Sequence, residues 1–426
     1  MQEFMSIQEA LEKKEGNVSI RGWVYRVRKH KEKIFIVVRD STDIIQAIVT
    51  KENPSLFEKA KKLTIESSLM LAGKLRKEQR APNGYEIEVA SLEIVGLAEP
   101  FPITKDLSEE FLLDVRHLAL RSRRLVSSLK IRSTVLFALH ECLHKKGFVQ
   151  VDAPIITPIT SEGGAETFKV DYFKKKAFLT QSWQFYGETL VSSFEKVYTI
   201  APSFRAEKSR TPRHLTEFWH CEVEQAWASM EDMINVAQDC IMYSIKKVLE
   251  NNQKELSVLG VEEEYLKKIK APFPRITYEE AIRLLRKKYE IEYGQDFGAK
   301  EEKEIAKQFD NFVVITNYPL SILKFYHGED PKMPGTGMNF NIFAPEVGEI
   351  VDGSAREPDL KKIKERLKKA KIKLKKAEWY LDSRRYGSVP HAGFGLGVER
   401  LVQWICKLDN IRDAIAFPRT LTRLEP

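Results

Sequence analysis

Residues 203–224 read Ser-Phe-Arg-Ala-Glu-Lys-Ser-Arg-Thr-Pro-Arg-His-Leu-Thr-Glu-Phe-Trp-His-Cys-Glu-Val-Glu, inside a longer segment that runs from Val197 to Trp227. Side chains of a strand alternate between faces, so Phe218, His220, Glu222 and Glu224 share one face, and Trp219, Cys221 and Val223 the other. Upstream, Val197 to Glu207 reads as a second strand in which Arg205 and Glu207 point the same way, with a charged loop between the two. A hairpin that only meets water has little reason to gather acids, a base and an aromatic ring on one face. The pattern therefore predicts strand, loop, strand, with chemistry on one side and core on the other.

A second segment completes the picture. Gly393-Phe-Gly-Leu-Gly reads as a glycine-rich strand entering a helix whose apolar positions are Val398, Leu401, Val402, Ile405 and Leu408, with Arg400 near its start. Too little chain follows for the βαβ unit and downstream acid of a dinucleotide site, and no GxxxxGK[ST] loop occurs, so nucleotide chemistry needs another scaffold. Helical spacing of Val135, Leu136, Leu139 and Leu143 predicts a helix from about Ile131 to Lys146, closed by Gly147. Phe148 to Ile156 reads as a strand that Pro154 confines to an edge or an interface. Strands and helices mix without βαβ rhythm, which favours a large α+β domain on antiparallel strands.

The first hundred residues differ. Val18–Arg28, Ile34–Val38, Ile44–Val49, Ser68–Leu75 and Tyr85–Val95 read as five strands separated by charged or Gly/Asn stretches, the pattern of a small OB-fold barrel. Pro100 and Pro102 mark a break, which gives an expected organisation of 1–101 barrel, 102–130 hinge and 131–426 second domain. Lys361 to Lys376 holds ten basic residues and one acid on a helical pattern, read as a solvated face.

Composition bounds the rest. Lys plus Arg is 69 and Asp plus Glu 61, so the net charge of +8 permits a polyanionic partner without demanding one. No apolar run reaches membrane-spanning length, and Met1 to Glu15 lacks a signal-peptide core. Cys142, Cys221, Cys240 and Cys406 lie far apart, against a zinc site or disulfide framework. A reduced, cytoplasmic protein is expected.

The two motif segments resemble motifs 2 and 3 of class II aminoacyl-tRNA synthetases, and Pro154 sits where motif 1 has its proline. Within subclass IIb, FRAEKSRTPRHLTEFWH, WYLDSRRYGSVPHAGFGLGVERLV and NIRDAIAFPRT resemble the archaeal-type asparaginyl-tRNA synthetases most closely. The resemblance covers nearly the whole chain. It implies an OB-fold that reads an anticodon, a catalytic domain on an antiparallel sheet, ATP and Mg²⁺ as cofactors, asparagine and tRNA(Asn) as substrates, and a homodimer through the region around Pro154.

Roles follow from the same resemblance. Arg205 and Arg400 are the catalytic cations: Arg205 on the α-phosphate, Arg400 over the adenine. Glu207 meets the adenine amino group, Phe218 stacks on the ring, and His214 reaches the γ-phosphate. Glu349 carries the metal. Glu162, Ser182, Gln184, Glu222, Glu224 and Arg356 form the amino-acid site, and Phe35 and Gln46 meet anticodon bases. Read from its own strand, Phe35 fits barrel core as well.

The chain departs from the family pattern where metal and amino acid meet. Asn341 stands where a second metal-proximal carboxylate is usual, Asp352 where Gly or Ser is usual, and Ala355 where a Gln is usual. Trp183 and Gly187 replace the usual neighbours of Gln184. Asp352 is a candidate replacement carboxylate, but its odd offset from Glu349 puts the two on opposite faces unless the strand bulges. Competing readings are an aspartyl-tRNA synthetase, including one that charges both acceptors, a paralogue that adenylates Asp or Asn and passes it to a small amine, and a non-catalytic RNA-binding protein on the scaffold. Intact Arg205, Glu207 and Arg400 weigh against the last, and the barrel against the small-amine paralogue.

Overall fold

Ile34, Ile36 and Val38 turn inward from one strand while Phe35 and Val37 turn outward, and the same alternation repeats around a closed barrel. The structure, a computed structural model, describes residues 3–104, 107–159, 167–208, 211–370 and 377–426. Two units emerge, Met1–Leu112 and Leu113–Pro426.

The first unit contains β1 (Gly16–Lys29), β2 (Lys33–Arg39), β3 (Ile44–Thr50), β4 (Ser68–Lys77) and β5 (Tyr85–Gly96), closed in the order β1-β2-β3-β5-β4. All neighbours are antiparallel except β3 and β5. The crossover that a parallel pair requires is made through helix Pro54–Lys61, capped by the Asn53 side chain on Leu56 N–H at 3.1 Å. Ile20, Ile36, Ala47, Leu71 and Ile87 are among the fully enclosed core residues. The five expected strands are all present, and the five-stranded OB-fold expectation holds.

The second unit contains β6 (Val149–Gln150), β7 (Ile156–Thr157), β8 (Lys169–Tyr172), β9 (Lys175–Leu179), β10 (Lys196–Phe204), β11 (Glu217–Ala226), β12 (Arg275–Thr277), β13 (Val313–Thr316), β14 (Asn339–Ala344), β15 (Gly348–Ala355) and β16 (His391–Gly397). Eight of them form one sheet, in the order β12-β13-β14-β15-β16-β11-β10-β6, antiparallel from β13 to β10 and parallel at both ends. Cys221, Val223, Val351, Phe394 and Leu396 belong to a core shared with helices Arg123–Lys145 and Met230–Asn251, through Ile131, Val135, Leu139, Ile234 and Ile241. The opposite face is left for polar groups. β7, β9 and β8 form a separate small sheet.

Three local readings need correction. The strand expected over Phe148–Ile156 is two short strands in different sheets, because Pro154 lies where the chain leaves the large sheet; β6 does sit at its edge. The helix expected from Ile131 begins at Arg123, where the Ser122 hydroxyl accepts from Leu125 N–H. Arg123 and Arg124 thus open a helix inside the segment set apart as hinge. Arg205 and Glu207 follow β10 instead of continuing it. The basic segment forms helix Leu360–Lys369, burying Ile363 and Leu367; its residues 371–376 lie outside the described ones. No helix among the described residues is long and apolar enough to cross a membrane, and the four cysteines are buried and free.

Candidate active site

The polar face of the large sheet is organised in rows. Antiparallel register sets Glu222 beside Gly395, Gly395 beside Asp352, and Asp352 beside Asn341. The next row runs from Glu224 through Gly393 to Ser354. The glycines are required by crowding. A Cβ on Gly393 would lie 2.2 Å from Glu224 Cδ, and one on Gly395 would lie 2.3 Å from His220 Nε2. The glycine-rich run is therefore a bare strip of backbone over which the side chains of β11 lie, and its role has nothing to do with a phosphate loop.

Above this strip lies a cleft of about 320 Å³. It gathers Ser182, Gln184, Arg205, Glu207, His214, Phe218, Glu222, Glu224, Glu349, Asp352, Arg356 and Arg400, residues drawn from β11, β15, the segments after β9, β10 and β15, helix Gln184–Phe194 and the helix after β16. Glu162 lies outside the described residues. Phe35 and Gln46 belong to the other unit, on the outer face of the barrel, and Phe35 is not part of the barrel core.

Glu222 is held at both oxygens. The Ser182 hydroxyl donates to Oε1 and Trp183 N–H to Oε2 at 2.8 Å, with the His220 ring 3.5 Å from Oε2. Burial opposes the charge, but His220, Ser182 and the Trp183 amide outweigh it and hold the carboxyl below its ordinary range. Glu224 meets Arg356 through Nη2 at 2.6 Å and Nε at 3.4 Å, and Arg356 Nη1 also donates to Ser354 Oγ at 2.9 Å. Burial pushes the Glu224 carboxyl up against the pull of Arg356, and the Glu188 charge adds to the push.

Trp183 does not line the cleft. Its indole packs with Val191, Val197 and Ala226 and lies on Gly187, where an added Cβ would sit 2.2 Å from Cζ3. Trp183 and Gly187 thus form one packed pair, which leaves no room for a longer side chain at position 187.

At the other end, Arg400 Nη1 donates to Glu349 O at 2.8 Å and to Glu349 Oε1 at 2.9 Å, while Asn341 Nδ2 donates to Glu349 Oε2 at 2.8 Å. The β14–β15 register shifts between Ile342 and Phe343, leaving Ile350 as an extra residue: Val351 pairs with Ile342 and Glu349 with Phe343. One inserted residue reverses the parity, so Glu349 and Asp352 point to the same face. Among the described residues no group of three acids, histidines or cysteines is placed to enclose a metal. Two hard carboxylates on one face still suit magnesium, which takes one or two from protein and the rest from phosphate and water.

His214 is kept neutral. Burial, then the charges of Arg400, Arg213 and Arg205, lower its pKa to about 4, and its Nδ1 is in contact with the Thr211 hydroxyl. Arg205 N–H donates to Thr216 O at 2.9 Å, and its guanidinium carbon lies 5.5 Å from the Phe218 ring centre.

Several cleft residues escape sequence reasoning. Arg213, Asp296, Lys324 and Tyr326 line the cleft. Arg213 pairs with buried Glu302, which in turn accepts from Glu349 N–H at 2.7 Å. Behind Gln184, its Nε2 donates at 2.8 Å to Glu188, a buried carboxylate also bound by Tyr380 at 2.9 Å and by Arg384. The periodicity of their own segments marks none of them.

A family model described as tRNA synthetases class II (D, K and N) matches residues 108–421, and one described as an OB-fold nucleic acid binding domain matches residues 18–95. The chain is 46% identical over 415 residues to the asparagine–tRNA ligase of Thermoplasma acidophilum, covering 96% of this chain and 97% of that one. The crystal structure of asparaginyl-tRNA synthetase from Pyrococcus horikoshii complexed with asparaginyl-adenylate superposes with a TM-score of 0.96 at 44% identity, covering both chains completely. The Entamoeba histolytica asparaginyl-tRNA synthetase in complex with asparaginyl-adenylate gives 0.90 at 31%, again over all of both chains. The chain belongs to the class II tRNA synthetases, and within them to the family of asparagine–tRNA ligases.

Proposed function

We propose that the chain activates asparagine with ATP and transfers it to the 3′ end of tRNA(Asn). In the first step an asparagine carboxylate oxygen attacks the α-phosphorus in line and pyrophosphate leaves. In the second a hydroxyl of the tRNA 3′-terminal ribose attacks the carbonyl of the mixed anhydride and AMP leaves. Positioning and charge stabilisation suffice for both. Arg205 neutralises charge developing on the α-phosphate. Phe218 and Arg400 enclose the adenine, and Glu207 accepts from its amino group. His214 meets the γ-phosphate as a hydrogen-bond partner. Glu349 and Asp352 are the carboxylates that would hold Mg²⁺, whose charge would draw together the phosphate oxygens. Ser182, Gln184, Glu222 and Glu162 hold the α-amino end.

The observation that carries the choice of amino acid is the Arg356–Glu224 pair, bound at 2.6 Å. Arg356, already engaged by Glu224, gives a donor for a carboxamide oxygen, and Glu224 gives an acceptor for the carboxamide NH₂. Aspartate would bring a negative charge beside Glu222 and Glu224, where an acceptor meets an acceptor. With Trp183 on Gly187, position 187 has no room for a lysine that could neutralise a substrate carboxylate. Burying an incompletely paired carboxylate costs several kcal/mol, so about a hundredfold preference for asparagine is expected. Pyrophosphate exchange with each amino acid, followed by charging of asparagine and aspartate tRNA transcripts, tests this. Exchange as fast with aspartate as with asparagine would refute it.

Phe35 and Gln46 serve the anticodon, supported by their place on the outer face of the barrel beside Arg28 in a cleft of about 330 Å³. A homodimer around Pro154 is supported by an open edge at β6 and by exposed apolar side chains at Phe137, Val149, Ile155 and Ile156. A cytoplasmic place of work follows from the reaction itself.

A further inference from the structure

Across four barrel strands runs one row of outward-facing residues: Val37, Gln46, Glu86 and Arg76, each directly opposite the next. Three of the four are polar, and the middle one is enclosed. Glu86 is 2% exposed, although it sits on the outer face of the barrel. Gln46 Nε2 donates to its Oε2 at 2.6 Å, and Arg76 Nη2 donates to its Oε1 at 3.0 Å. Glu86 does not line the cleft that holds Phe35 and Gln46, so whatever it does there it does through Gln46.

An ionised carboxylate only accepts hydrogen bonds. Facing Glu86, Gln46 can therefore present its NH₂ end and not its oxygen; two acceptors at 2.6 Å would repel. Arg76 pairs with the carboxylate from the other side, and the enclosure of Glu86 limits competition from water at the Gln46 contact. The amide of Gln46 is fixed in one sense, with its oxygen and remaining N–H in a set order.

That order matters to a base. Uracil and guanine present a carbonyl beside an imino N–H on the Watson–Crick edge, whereas cytosine and adenine present an amino group beside a ring lone pair. A glutamine amide matches one class in one orientation and the other class after a half-turn about its last bond. With both orientations open, it accepts either class. Asparagine codons, AAU and AAC, pair with a GUU anticodon, in which all three bases are of the keto class.

We infer that Glu86 is a positioning residue that makes Gln46 a one-way reader of an anticodon base, admitting keto bases and rejecting amino ones. The inference rests on the reading of Gln46 as an anticodon contact in an asparagine enzyme. Arg76 supports it by donating to the other oxygen of Glu86. Specificity at this base is then set one residue behind the contact.

The test is charging of asparagine onto GUU transcripts carrying a single keto-to-amino change (U to C or G to A) at each anticodon position. It compares the full-length protein with Glu86→Gln, which keeps the shape but can donate or accept. The unaltered protein should prefer the keto base at the position read by Gln46 by about tenfold or more in kcat/KM. In Glu86→Gln that one ratio should fall to within about threefold of unity, with the ratios at the other two positions and tRNA-independent pyrophosphate exchange unchanged. Glu86→Asp keeps the charge for Arg76 but withdraws it from Gln46, and should give the same single-position loss. An unchanged ratio in both variants, or an equal loss at all three positions, would overturn the inference, the second because it marks Glu86 as merely structural. Binding of the isolated anticodon stem-loops reads the same ratios directly. If the unaltered protein charged no asparagine, the proposed function would fail, while the stem-loop ratios would still decide the role of Glu86.

Discussion

The indole of Trp183 occupies the space that any side chain at Gly187 would need, 2.2 Å from where a Cβ would be. Both belong to the turn that starts helix Gln184–Phe194, so this contact fixes the first turn of the helix that delivers Gln184 to the cleft. In an ordinary helix interior, Gly→Ala adds about 0.5–1 kcal/mol of stability. Here Gly187→Ala should instead destabilise the protein by about 1–3 kcal/mol, the usual result of overpacking. Thermal unfolding reads the sign, and the same change made in a Trp183→Ala background should revert to neutral or stabilising. A stabilised Gly187→Ala single variant would mean that the indole does not lie there.

Phe35 faces outward between two core residues, Ile34 and Ile36. Phe35→Ala should leave pyrophosphate exchange and the melting temperature close to normal. It should weaken tRNA charging by about 1–3 kcal/mol, the contribution of one stacked base. Loss of exchange and charging together would identify the ring as structural.

Arg205→Ala and Arg400→Ala should each lower exchange by about a hundredfold or more with the fold intact. They should differ in one respect. Arg400 holds both the backbone and the carboxylate of Glu349, so its loss should also raise the Mg²⁺ concentration needed for half-maximal exchange. Arg205→Ala should not. Near-normal exchange in Arg205→Ala would remove it from the reaction.

The bulge at Ile350 brings Asp352 round to the face of Glu349. Asp352→Asn should shift the Mg²⁺ dependence of exchange upward by about tenfold, the order seen when a group supporting a metal site is lost. An unaltered magnesium curve would leave Glu349 as the sole carboxylate for the ion.

His214 titrates near 4 when folded, against an ordinary 6.5, because burial and three arginines oppose its charge. The unfolded chain therefore binds the proton more tightly, and stability contributed by neutral His214 is complete above about pH 6.5 and lost as the pH falls toward 4. His214→Gln should flatten this part of the curve of urea midpoint against pH.

The large sheet was legible because its chemistry and its core share one strand with period two: His220, Glu222 and Glu224 against Cys221 and Val223. The barrel was legible for the same reason, with turn residues cutting it into strands. What escaped was set by distance along the chain. Glu188 is an unremarkable acid in an amphipathic helix, and only folding brings it to Arg384 and His391, 196 and 203 residues along the chain. Arg213 is paired by Glu302 from a helix with no motif of its own. The face of Asp352 depended on a one-residue bulge, which strand periodicity cannot signal. The start of helix Arg123–Lys145 was missed because Arg123 and Arg124 interrupt the apolar spacing, although Ser122 is a good cap.

The bare strip of β16 sets how this site can change over time. Where the floor of a pocket is backbone, substitution there cannot tune it: any side chain at Gly393 or Gly395 displaces Glu224 or His220 and ruins the site as a whole. Adjustments that survive must come from the flanking strands, β11 and β15, and from the helix that carries Gln184. Drift in this pocket is therefore steered from its floor to its walls.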